Sequence, residues 1–556
     1  MVIEPLTPTL SPAGRGSAGA EHMAIAISHE IVLYAGPGSG DRMNAWTRRI
    51  RRLEAWLAAG LLRPRGIAVA IVAFALAGFV VLVEVKYFQD VFKDDAEAFA
   101  WGRQFLGGYG RHPVLTGWIA GIWYRVFPAR DFASYLLSRV MTSISLLGIF
   151  LLARRTLDAR RATLVVLALM LYPLFIGAKS DRYNNYQVLL ALLPLLFWAF
   201  LEAYEKRTAA WGALLGLVGG AAAITIYAAA LGLGAIGLAA IVHPQRGRFF
   251  ASPAPYVALL VFLVVLSPHL VWLVQHDFPP LHWAGKQLNT GIRFKDSWNM
   301  VVHQTGLVAI PIIVAALALL PWRAKPATRS PARRPDTILV LILAAVLVCV
   351  PTLVAIPLKM KLKLEWGDAL FFIVPVALLA LIPRLVVRRR TVARMAAIAT
   401  IATVLQVIIS PFYALAIFRE RPDRDTFTPT SELAREVTRL WHARFATPLP
   451  IVIATFDLAA PVAFYSPDHP RMFADSPDAP RAFASDQPEF SPWIDFPGDL
   501  TRYGFVGICY AGDRDCLDNL ARLDAGAEKL DVTLAREIAG MRAKPWTFNI
   551  RIARPQ

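Results

Sequence analysis

The chain has 556 residues, 56% of them hydrophobic and only 18% charged, with a mean hydropathy of +0.48. A soluble protein carries nearer a quarter charged residues, so the composition excludes a soluble globular chain and points to a polytopic membrane protein. The formal net charge of +18 does not signal nucleic acid, because the basic residues sit in short clusters between apolar runs.

Residues 1–42 are rich in Pro, Gly, Ser and Ala without a sustained period, which predicts disorder, and Met43 is a second candidate start. The first long apolar run begins near residue 66, and no cleavable signal peptide precedes it. Runs of about 18 or more apolar residues read as membrane helices, since ~20 residues at 1.5 Å rise cross the hydrocarbon core. The expected spans are 66–86, 132–153, 162–178, 186–203, 211–224, 226–242, 255–275, 304–321, 337–357, 368–384 and 393–416, or about eleven, all within a membrane domain over 43–416.

Placing the N-terminal arginines (Arg48, Arg49, Arg51, Arg52, Arg63 and Arg65) in the cytoplasm makes the alternate loops testable. Those that then face the cytoplasm carry Arg154, Arg155, Arg160 and Arg161; Lys206 and Arg207; Arg246 and Arg248; Arg323 to Arg334; and Arg384 to Arg394. All are basic and nearly free of acid, as the positive-inside rule requires. The opposite loops (87–131, 179–185, 276–303 and 358–367) mix acids, aromatics and histidines. This topology places the protein in the inner membrane as a multi-pass chain and the tail, 417–556, in the periplasm.

The outward loops hold the chemistry. In 87–131, Asp94 and Asp95 lie a few residues past a span, where carboxylates either serve as a base, bind a divalent metal or mark a solvated helix end. The stretch WIAGIWYRVF (118–127) reads as an interfacial helix. The second loop brings Asp181, Arg182, Tyr183, Asn184 and Asn185 to the same face. The third holds His269, His276, Asp277, His282 and Trp283, but its spacing fits no standard zinc pattern. In the fourth, Lys359, Lys361 and Lys363 precede Glu365 and Trp366, and cations at a membrane face suit either a lipid phosphate or interfacial anchoring.

The tail changes period. SELAREVTRLWHARF (431–445) reads as a helix, PLPIVIAT as a buried strand, DLAAPVAFYS as a helix opened by an Asp cap, and GFVGICY as a further strand, together a small α/β domain. Cys509 and Cys516 enclose a turn-rich loop, where a disulfide is the expectation outside the cytoplasm. Cys349 lies in an apolar run and reads as inert packing.

Read together, the outer loops resemble those of bacterial family-39 glycosyltransferases, relatives of the protein O-mannosyltransferases and of the enzyme that adds aminoarabinose to lipid A. DDAEAFAWGRQFLGGYGRHP is similar to the family's first outer loop, with Asp94, Asp95, Trp101, Gly108, Tyr109, His112 and Pro113 at its patterned positions. SPHLVWLVQHDFPPLHW and MKLKLEWGDALFFIVP resemble two later segments. Arg111, Val114, Leu273, Glu97 and Phe99 depart from the pattern.

The resemblance implies a GT-C fold, all-α in the membrane with about eleven spans. It implies an inverting transfer of sugar from a polyprenyl-phosphate donor to a periplasmic acceptor: lipid A or lipopolysaccharide, another lipid, a glycan or a protein. Asp94 would then be the catalytic base. Asp95 would assist, and Asp94 with Asp181 would ligate a divalent Mg, Mn or Zn ion. Tyr109, His112, Arg182, His276, Lys361, Lys363 and Trp366 would bind substrate. The competing reading is a transporter or flippase of a lipid-linked or anionic substrate, which would want charges inside the spans; the spans read as nearly free of them.

Overall fold

The computed structural model describes residues 39–110, 112–176, 182–281, 294–320, 335–355, 364–474, 491–495, 497–524 and 526–555. Residues 1–38 lie outside this set, and the first helix, α1, starts at Ser39 and runs to Leu61.

The membrane part is helical throughout. After α1 come α2 (Pro64–Val85), α3 (Lys93–Gln104), α4 (Leu115–Val126), α5 (Asp131–Thr156), α6 (Ala159–Leu169) and the short α7 (Pro173–Ile176). They are followed by α8 (Asn185–Lys206), α9 (Ala209–Ala223), α10 (Ala229–Val242), α11 (Arg246–Phe250) and α12 (Ala254–Gln275). The membrane part closes with α13 (Phe294–Ala318), α14 (Pro335–Ala355), α15 (Val374–Leu381) and α16 (Arg389–Glu420). Among the described residues six helices are long and apolar enough to cross a membrane: α2, α5, α8, α12, α13 from Trp298, and α16; α9, α10, α14 and α15 are shorter apolar helices.

Two expected spans differ from single helices. The run 162–178 breaks into α6 and α7, because Pro173 cannot continue a hydrogen-bonded helix. The run 368–384 opens as 3₁₀ turns (Leu364–Gly367 and Phe371–Ile373) before α15. Backbone freed inside a membrane must be paired within the protein. Arg139 on α5 donates to the Phe175 carbonyl at 3.0 Å, and Gln406 on α16 donates to that of Ile176. Arg139 is therefore a buried charge within a span that was read as nearly charge-free, and it serves the broken helix.

Small residues set the closest helix contact. Gly212, Gly216 and Gly220 recur every fourth residue along α9 and face α12. A Cβ at Gly212 or Gly216 would lie 2.3 Å from the carbonyl oxygen of Ala254 or Ala258. Only glycine permits that approach, which in lipid supplies the packing that a hydrophobic effect cannot. Cys349, expected to pack internally, is exposed on α14.

The bundle has two chemically different ends. At one, Arg155 pairs with Glu202 and Asp336 (3.3 and 3.2 Å) and Arg161 donates to the Leu379 and Pro383 carbonyls (3.3 and 2.7 Å). At the other, α3 and α4 meet the C-terminal domain. That domain consists of α17 (Thr430–His442), β1 (Ile451–Ala454), α18 (Phe456–Tyr465), β2 (Arg471–Ala474), α19 (Gly498–Tyr503), β3 (Phe505–Tyr510), α20 (Arg514–Leu523), β4 (Glu528–Leu534), β5 (Glu537–Ile538), β6 (Met541–Arg542) and β7 (Trp546–Ala553).

Its main sheet has the order β2-β1-β3-β7-β4, parallel from β2 to β3 (Val452 opposite both Met472 and Val506) and antiparallel from β3 through β7 to β4. The fold class and the small α/β domain expected from the sequence are borne out. In the DLAAPVAFYS segment the N-cap is Thr455; Asp457 falls inside the first turn, where it accepts from Tyr510 Oη at 2.8 Å. Cys509 at the end of β3 is disulfide-bonded to Cys516 on α20, with the Cα atoms 5.8 Å apart.

The domain does not hang free. Phe99 and Trp101 of α3, Tyr109 and Val114 share one hydrophobic core with Trp441, Phe464, Ile453 and Phe548. Phe88 stacks on Phe418 at 4.6 Å beneath the β5–β6 hairpin. Arg536, with its side chain only 3% exposed, pairs with Asp90, lies 3.1 Å from Glu432 and donates to the Phe88 carbonyl at 3.3 Å. Burial disfavours the charged guanidinium, but the two carboxylates outweigh it and hold the Arg536 pKa above its ordinary value. Arg536→Ala should strand Asp90 as a buried, unpaired charge, at about 3–5 kcal/mol. Limited proteolysis between residues 421 and 430 should then release the C-terminal domain faster than in wild type; equal rates would mean that the pair does not hold it.

Candidate functional site

The acids of α3 part company at the helix start. Neighbouring residues on a helix point about 100° apart, so Asp94 and Asp95 cannot face the same way. Asp95 is 1% exposed; its Oδ1 accepts from Ser134 Oγ on α5 and from the Tyr183 amide at 2.9 Å. Tyr183 in turn donates its hydroxyl to the Thr116 carbonyl of α4 at 2.9 Å. Burial, with the charge of Asp95 contributing, pushes the Tyr183 and Tyr124 hydroxyls far above their ordinary range, so both stay protonated.

With Asp95 anchored, Asp94 points into a cavity of about 220 Å³. Its lining grades from apolar (Met141, Leu174, Phe175, Leu190) to polar (Arg182, Asn184, Gln187, Asp368). Asn184 Nδ2 lies 3.4 Å from Asp94 Oδ2, and the Arg182 guanidinium sits 3.9 Å over the Phe92 ring. Across the cavity, Asp368 accepts from Gln304 Nε2 at 2.7 Å, and Gln304 also donates to the Leu364 carbonyl at 2.8 Å. Asp368 and Gln304 were not singled out from sequence; the only signal was that Asp368 closes the lysine-rich loop ending EWGD.

The other expected site residues lie elsewhere. Tyr109 is buried and stacks on Trp101 at 5.1 Å, donating its hydroxyl to the Trp101 carbonyl at 2.8 Å. His112 bridges back to Tyr109 and lies 5.7 Å from the Trp101 ring. His276 stacks on Trp272 at 4.4 Å and donates Nδ1–H to the Trp272 carbonyl at 2.8 Å. None of the three lines the Asp94 cavity. Asp181, Lys361 and Lys363 lie outside the described residues, as do His282 and Trp283, and no side-chain placement is described for Trp366.

Among the described residues no group of three or more His, Cys, Asp or Glu is placed to hold a metal ion. Asp94 and Asp368 are the hard oxygen donors of the cavity.

The Gly-Gly-Tyr motif is a packing device. A Cβ on Gly108 would fall 2.0 Å from Trp272 Cε3, and one on Gly107 2.7 Å from Trp272 Cβ. His269, one turn before Trp272, meets the Gly107 carbonyl at 2.8 Å and the Tyr227 hydroxyl at 3.0 Å. The glycines thus let the α3–α4 loop lie flat on α12.

The chain is similar to known proteins. Residues 111–272 match the family model described as dolichyl-phosphate-mannose-protein mannosyltransferase. The chain superposes on the crystal structure of ArnT from Cupriavidus metallidurans bound to undecaprenyl phosphate with a TM-score of 0.59 at 15% identity, over 88% of this chain and 99% of that one. The fold is that of ArnT, a GT-C fold. The apo form of the same ArnT gives a TM-score of 0.58 at 14% identity. A curated relative, the lipopolysaccharide core galacturonosyltransferase RgtA of Rhizobium johnstonii, is 28% identical over 182 residues, a match spanning 32% of this chain and 36% of the relative's own length. The family-39 resemblance read from the sequence is borne out.

Gly108→Ala should displace Trp272 or lift the loop, destabilising the protein by about 1–3 kcal/mol, the usual penalty of overpacking. Thermal unfolding followed by tryptophan fluorescence checks this; an unchanged transition would mean the loop yields freely.

Proposed function

We propose that this protein is a membrane glycosyltransferase that moves a sugar from a polyprenyl-phosphate donor to a cell-envelope acceptor of the lipopolysaccharide kind, at the periplasmic face of the inner membrane. The carrying observation is the Asp94 cavity, whose lining sets apolar side chains (Met141, Leu174, Phe175 and Leu190) beside a carboxylate and a guanidinium. A lipid-linked phosphate needs both. The printed names of the relatives, a lipopolysaccharide core galacturonosyltransferase and an ArnT bound to undecaprenyl phosphate, support the same donor and acceptor classes. The basic loops gathered at the opposite end of the bundle support an outward-facing site.

Asp94 is the general base of this reading. Its carboxylate takes the proton of an acceptor hydroxyl, and that oxygen attacks the anomeric carbon from the side opposite the phosphate. The carbon–oxygen bond to phosphate breaks, the electron pair leaves with the polyprenyl phosphate, and the configuration inverts. Arg182 lies where it would offset the charge developing on the leaving phosphate, and Lys361 and Lys363 are proposed to act with it. Asp95 acts as a positioning residue, turning Asp94 into the cavity. Asp94 and Asp368, with Asp181, are the residues that would hold a divalent ion, whose chemistry would be to neutralise phosphate charge. The C-terminal domain is proposed to begin at about residue 417 and to lie in the periplasm, where it packs against α3.

Asp94→Asn should lower transfer by roughly 10²–10⁴-fold, the range general base catalysis supplies, while leaving folding and membrane insertion intact. The assay pairs purified protein with undecaprenyl-phosphate-linked galacturonic acid and lipopolysaccharide, with the product read by mass spectrometry. Wild-type rates in the variant would remove Asp94 from the chemistry. Accumulation of substrate across sealed vesicles without a covalent product would favour a transporter.

A further inference from the structure

A second, larger cavity of about 800 Å³ lies where α2 ends, α5 begins and the C-terminal domain rests on them. Three cations line it, each from a different element: Lys86 just past α2, Arg130 before α5, and Arg435 on α17. Its two carboxylates are already engaged. Asp90 holds Arg536 and accepts from Thr430 Oγ1 at 2.7 Å, and Asp131 accepts from Tyr465 Oη at 2.6 Å. Arg130 and Arg435 are exposed, and among the described residues neither has an ion-pair partner.

Cations are normally scarce at the outer end of a membrane protein, so Arg130 and Arg435 converging on one cavity there call for a counter-charge. The apolar side of the cavity sits at the membrane boundary. Val83 and Tyr87 at the end of α2 and Phe132 at the start of α5 are exposed by 38, 59 and 42% of their surface. A cationic wall above an apolar rim matches an anionic amphiphile, with its headgroup on the cations and its chains on the rim.

The cavity shares elements with the Asp94 site. Asp131 and Ser134 lie one turn apart on α5, and Ser134 bonds Asp95, the residue beside the base. His469, on the cavity wall, packs 5.1 Å from the Phe99 ring of α3.

We infer that this cavity is a docking site for the anionic headgroup of a membrane lipid, and that it holds the lipid acceptor while its hydroxyl is presented to Asp94. The second half rests on the glycosyltransferase reading; the first does not.

The test uses the full-length protein and the double variant Arg130→Gln/Arg435→Gln, whose substituted side chains are exposed, with folding checked by an unchanged thermal transition. Native mass spectrometry with dioleoyl phosphatidic acid and dioleoyl phosphatidylcholine should show wild type retaining phosphatidic acid preferentially. The double variant should lose that preference by about tenfold or more, since each cation near an anionic headgroup contributes separately. Asp94→Asn should keep it, which separates failure of this site from failure of the catalytic reading. Equal retention of phosphatidic acid by wild type and double variant would overturn the site, and so would its displacement by inorganic phosphate at matched concentration. In the transfer assay the double variant should raise the KM for lipopolysaccharide while kcat is held; an unchanged KM would overturn the acceptor role.

Discussion

The site around Asp94 depends on one buried carboxylate. Asp95 ties α3 to α5 through Ser134 and to the 182–184 segment through the Tyr183 amide, so that one oxygen joins three elements. A charge removed from water is tolerated only where polar groups replace its hydration. Burying Asp95 therefore fixes the rotation of α3, and α3 can present Asp94 only to the cavity. Among the described residues Asp94 has one long hydrogen bond, from Asn184 at 3.4 Å, and it lines the cavity. Two adjacent acids of the same type are thus given different work by their surroundings.

The same economy of contacts ties the C-terminal domain to the site. Phe99 packs edge-on to Phe464 at 5.2 Å, and Arg536 reaches down to Asp90. The tail therefore shares a core with the loop that carries the acids, and movement in one would be felt in the other. The glycine approach of α9 to α12 works toward the same end, since α12 carries Trp272 and His269, on which the Gly107–Gly108 segment lies.

Much of this was readable from residue order, and the parts that were not share a cause. Apolar runs gave the spans, because a bilayer demands them, and the basic loops separated the two ends of the bundle. Pro173 and the 3₁₀ turn at Phe371–Ile373 interrupt two runs that hydropathy alone reads as continuous. The site residues divide in the same way. Asp94 stood out by its place just past a span. Tyr109, His112 and His276 stood out as well, yet each is occupied with an aromatic neighbour: Tyr109 and His112 with Trp101, His276 with Trp272. The opposite facing of Asp95 depends on Ser134 and Tyr183, far off in sequence, and the cavity role of Asp368 depends on a loop returning from the other side of the chain. Pairings of that range leave no local pattern.

The proposed glycosyltransferase requires that the Asp94 cavity, rather than the Arg130–Arg435 cavity, take a polyprenyl phosphate. The most direct measurement is a cryo-electron microscopy structure of the protein with undecaprenyl phosphate added. The phosphate should lie beside Arg182 and Asp94, with the isoprenoid chain leaving past Met141, Leu174 and Leu190. Phosphate density against Arg130 and Arg435 instead, with the Asp94 cavity empty of lipid, would contradict it.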